Sequence, residues 1–107
     1  MKKVKLYGRI RLNEGKLFFI TALLDNTIFI NDKVIKIIIN EEIMEVNCSI
    51  NQILISFGIK RLDSLEIQKG YKGLISLDCE FKELNILPEA IKGWQIDDDN
   101  EIYLIID

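Results

Sequence analysis

Between Lys33 and Ile59 the chain reads KVIKIIINEEIMEVNCSINQILISFGI, an apolar pattern broken once, at residues 40–42. That stretch leaves few ways to fold. Ile35, Ile37 and Ile39 alternate with Val34, Lys36 and Ile38, the period of a strand buried mainly on one face. Ile43 to Asn47 resume the extended pattern, so the interruption reads as a tight hairpin, with Asn40 suited to a left-handed backbone. From Ser49 onward the interval changes. Ile50, Ile53, Leu54 and Phe57 recur at helical spacing. Ser49 stands as an N-cap with Gln52 three residues later, Cys48 and Ile53 match a hydrophobic staple, and Gly58 is placed to end the element. The spacing predicts a helix over 49–57, too short to stand without packing on the sheet.

The flanking segments supply that sheet. Val4, Leu6, Gly8, Ile10 and Leu12 alternate with Lys3, Lys5, Tyr7, Arg9 and Arg11, giving a half-buried strand with a basic outer face. A turn at 13–15 leads into Leu17 to Leu24, apolar on both faces as in a strand covered from two sides. Thr27 to Ile30 and Leu62 to Gln68 can be extended, and KGYKG at 69–73 is a turn by composition. Ile75, Leu77, Cys79 and Phe81 face inward against Ser76, Asp78, Glu80 and Lys82. Pro88 suits the start of a helical turn near 88–92, and Ile102 to Ile106 is apolar enough to lie inside a sheet. The fold class expected is α+β: one compact domain over 1–107, with a mainly antiparallel sheet of about seven or eight strands, the 49–57 helix on one face and a second helical turn near 88–92.

Charge and residue types narrow the function. The chain has no His, which removes imidazole-based triads and most zinc sites. The glycines are too scattered for a phosphate loop. GYKG at 70–73 matches the GxxG of KH domains, but its flanks are extended where that loop joins helices. The two thiols, Cys48 and Cys79, follow a start without an apolar signal region, so the expectation is a reducing cytoplasm and two buried, inert cysteines. No run of residues is long enough for a membrane helix. Residues 1–36 hold eight basic and three acidic side chains, whereas residues 37–107 hold six and fourteen.

These features point away from an enzyme, a cofactor or a metal. They favour a small protein-binding module, of the inhibitor or immunity type, that neutralises one partner protein. Its binding residues would be the basic face of Lys3, Lys5, Tyr7, Arg9 and Arg11 and the acidic run of Asp97, Asp98, Asp99 and Glu101. Nucleic-acid binding through the basic face is the competing reading, and long cations also serve to protect an edge strand from unwanted pairing.

Overall fold

The computed structural model describes residues 1–12, 14–57, 60–79, 81–89 and 101–107. It is mainly β, with β1 (Lys2–Leu12), β2 (Lys16–Thr21), β3 (Ile28–Phe29), β4 (Lys33–Ile39), β5 (Glu42–Phe57), β6 (Lys60–Ser64), β7 (Glu66–Ile67), β8 (Leu74–Leu77) and β9 (Ile102–Ile106). Seven strands form one antiparallel sheet in the order β4-β9-β1-β2-β8-β5-β6, and β4 also pairs with β5. That extra pairing closes six strands into a barrel. β6 lies outside the ring, on the second half of β5, and β3 and β7 form a separate two-stranded ribbon. Closure gives each of the six ring strands a neighbour on both sides along part of its length.

The expected helix at 49–57 is not formed; those residues continue β5. The reason lies in a bulge. Ile50 opposes Leu77, Gln52 opposes Ser76 and Ile53 opposes Ile75, so Asn51 is an extra residue on β5. One inserted residue resets the pleat, and Ile50 and Ile53, three apart, both point into the barrel at 0% exposure. A bulged strand thereby imitates the i, i+3 interval of a helix. Leu54 then falls on the outer face, in a second buried cluster with Phe18, Ile20 and Leu74. Ser49 caps no helix. It pairs across to Lys33 on β4, and its amide donates to the Asp78 carboxylate at 3.0 Å.

The second helical element is also displaced. A 3₁₀ turn spans Lys82–Ile86, ahead of Pro88, and Glu89 makes an isolated bridge to Arg9. Positions 90–92 lie outside the described residues. The turn sends Leu84, and the residue after it sends Leu87, into the barrel cluster, each 1% exposed. The ribbon contributes Ile28 and Ile67 to the same interior. Val4, Leu6, Phe19, Ile37, Ile75 and Leu104 are buried together in this cluster, so the barrel interior is packed with side chains.

Several sequence expectations hold in detail. β2 is buried on both faces, with Phe19 inside and Phe18 and Ile20 outside. β9 is internal to the sheet, between β1 and β4. The β4–β5 connection is a two-residue hairpin, Ile39 facing Glu42 across Asn40 (φ 47°) and Glu41 (φ 75°). Two positive φ values in such a loop define a type I′ turn, whose second position favours Gly. Glu41→Gly relieves left-handed strain of about 1–2 kcal/mol, which exceeds the added entropic cost of fixing Gly, and should stabilise the fold by about 0.5–1 kcal/mol. A melting temperature that stays level or falls would contradict the turn geometry.

Candidate functional site

β1 contains the feature that reorganises the predicted basic face. Leu6 opposes Thr21 on β2 while Gly8 opposes Ile20, so Tyr7 is an extra residue in a bulge. Before the bulge Val4 and Leu6 point into the barrel; after it Ile10 and Leu12 pack on the outer cluster. The cations split accordingly. Lys3 and Lys5 stay on the outside. Arg9 and Arg11 instead stand opposite Phe19 and Leu17, residues of the interior side. Arg9 donates from its backbone amide to Pro88 O and from Nε to Leu87 O, both at 3.1 Å, and so tethers the segment that carries Leu87. Arg11 donates to Gly15 O across the hairpin turn. Both arginines therefore have structural work. β1 lies between β9, which pairs with its residues 2–6, and β2, which pairs with its residues 6–12.

The acidic half of the prediction divides as well. Asp97, Asp98 and Asp99 lie outside the described residues. Glu101 is described: its amide donates to Asn40 Oδ1 and its carbonyl accepts from the Asn40 amide, fixing it beside the β4–β5 hairpin. The charge separation seen along the chain is broken at one point in space, where Lys36 on β4 from the basic half opposes Glu45 on β5 from the acidic half.

What the outer face of β1, β9, β4 and β5 holds follows from the registers. Lys3 opposes Ile105, which opposes Lys36, which opposes Glu45. In the next row Lys5 opposes Tyr103, which opposes Ile38, which opposes Ile43. Ile43 is 63% exposed and Tyr7 38% exposed, while Ile38, Tyr103 and Ile105 are half-buried. Lys3 Nζ sits 4.1 Å from the centre of the Tyr103 ring and Lys5 Nζ 5.2 Å from that of Tyr7, distances at which a cation is attracted to an aromatic face. The result is an apolar row of Tyr103, Ile38 and Ile43 with Ile105 beside it, rimmed by Lys3, Lys5 and Lys36 and by Glu45 and Glu101.

Sequence reasoning found Lys3, Lys5, Tyr7 and Glu101 of this surface and missed Lys36, Ile38, Ile43, Tyr103 and Ile105. A signal was present. In β4, β5 and β9 four of the positions between the inward residues, Ile38, Ile43, Tyr103 and Ile105, are apolar where a solvated barrel wall would carry polar side chains.

The thiols behave partly as expected. Cys48 is buried in the barrel cluster, and Cys79 is half-buried at its margin. Burial pushes the Cys48 thiol up to about 12, with a hydrogen bond to Cys79 adding to the shift. Burial also raises Cys79, whose thiol bonds to the Asp78 carboxylate. Asp78 itself is held below its ordinary value, first by the Ser49 amide and then by further hydrogen bonds that include Cys79 and the Ser49 hydroxyl. Both thiols are therefore protonated near neutrality and poor nucleophiles.

Comparison with protein-family models, with curated proteins and with solved structures gives no match.

Proposed function

We propose that this chain is a protein-binding module, of the inhibitor or immunity type, that docks one partner through the outer face of β1, β9, β4 and β5. The observation that supports this reading is the row of Tyr103, Ile38 and Ile43 on the outside of a barrel whose interior is already filled. An apolar centre containing an aromatic, inside a charged rim, is the usual anatomy of a protein interface. The strands hold these side chains in place before binding, so little ordering entropy is lost on docking. Lys3, Lys5 and Lys36 on one flank call for carboxylates at the matching edge of the partner.

Nucleic-acid binding is the second reading, favoured by the stacking of Lys3 on Tyr103 and of Lys5 on Tyr7. Glu45 and Glu101 on the same surface oppose it, since a phosphate backbone would meet them. The two readings separate in one variant. Changing Lys3, Lys5 and Lys36 together to Glu should slow association with a protein partner several-fold at low salt, and the deficit should shrink as salt screens it. Binding of the wild-type chain to single-stranded RNA or DNA with a steep salt dependence, abolished in this variant, would favour the nucleic-acid reading instead.

A further inference from the structure

Cys48 on β5 and Asp78 and Cys79, just after β8, offer two sulfurs and a carboxylate oxygen that all lie within 4.8 Å of one another. Consecutive residues in a straight strand would point to opposite faces. Here the chain bends at Asp78 and Cys79. Both can therefore face Cys48. We propose that these three residues form a binding site for a thiophilic divalent cation, with Zn²⁺ the fitting ion.

Four observations meet at this place. The donor set is two sulfurs and one oxygen, which selects zinc-like ions over magnesium or calcium and needs no His. Zinc–sulfur bonds of about 2.3 Å set tetrahedral sulfurs about 3.8 Å apart, so the ligand atoms close in by no more than about an ångström. Asp78 is already aimed: the Ser49 amide donates to Oδ1 at 3.0 Å and the Ser49 hydroxyl to Oδ2 at 3.2 Å, the outer-shell support that metal-binding carboxylates need. Finally, a cleft of about 140 Å³ lined in part by Lys16, Phe19, Asn51 and Leu77 opens onto Cys79. It leaves room for a water as fourth ligand. On binding, each thiol gives its proton to solvent and the ion takes its place, with no change of oxidation state.

The test uses the full chain, reduced and stripped of metal, titrated with Co²⁺ as a spectroscopic stand-in. The proposal expects one Co²⁺ per chain with an intense sulfur-to-cobalt charge-transfer band, displaced by Zn²⁺, and a higher melting temperature with Zn²⁺ present. Cys79→Ser, at a half-buried position and shown by thermal melting to be folded, should abolish the band. Asp78→Asn should keep it and weaken binding at least tenfold. No band at millimolar Co²⁺, a band that survives Cys79→Ser, Asp78→Asn binding as tightly as wild type, or one metal shared between two chains would each overturn the site.

Discussion

Ile53→Ala should remove about 2–5 kcal/mol of stability and lower the melting temperature by 10 °C or more, because it empties a fully enclosed site. Ile53 is 0% exposed, opposes Ile75 on β8 and packs in the central cluster. Ile43→Ala, the same chemical change ten residues earlier on the same strand, should cost less than about 1 kcal/mol. Ile43 is 63% exposed and leaves no cavity behind, so only its strand preference is lost. The pair is informative because the two isoleucines differ only in the side of the barrel wall they occupy. Equal losses in chemical or thermal unfolding would mean that β5 is not built with its pleat reset at Asn51.

That reset explains what could and could not be read from the chain. The strands with plain alternation, such as β8 with Ile75 and Leu77 inside, and the Asn40 hairpin were legible because period 2 and a left-handed turn residue are local properties. Three bulges were not. At Tyr7, at Ile35 where β4 meets β9, and at Asn51 one extra residue moves the following side chains to the other face. In β1 this separates Arg9 and Arg11 from Lys3 and Lys5, though all four alternate without fault in the sequence. In β4 it places Val34 with Ile37 inside, where strict alternation puts them on opposite faces. In β5 it generates the interval of a helix, and Ser49 and Gln52 then completed a false cap. Bulges answer to barrel curvature, set by strands far away in sequence, so no local pattern announces them. The binding face was half legible for the same reason. Its lysines lie on β1, but its apolar row is assembled from β9, β4 and β5, which only the strand order brings together.

The binding account makes its largest demand on Ile43. A charge at the exposed end of the apolar row, Ile43→Asp, would be buried without a partner on docking and should cost 2 kcal/mol or more of binding, about a 30-fold loss of affinity or greater. The same change on the free protein is cheap, because the side chain stands mostly in water. Leu65→Asp is the matched control: Leu65 is 79% exposed on the connection between β6 and β7, outside the four-strand face. The deciding measurement is quantitative capture from the native host with three immobilised baits, wild type, Ile43→Asp and Leu65→Asp, each shown by thermal melting to be folded. The account predicts one protein held in common by wild type and Leu65→Asp and lost from Ile43→Asp. Retention of that protein by Ile43→Asp, or its loss from Leu65→Asp alone, would contradict docking through the outer face of β1, β9, β4 and β5.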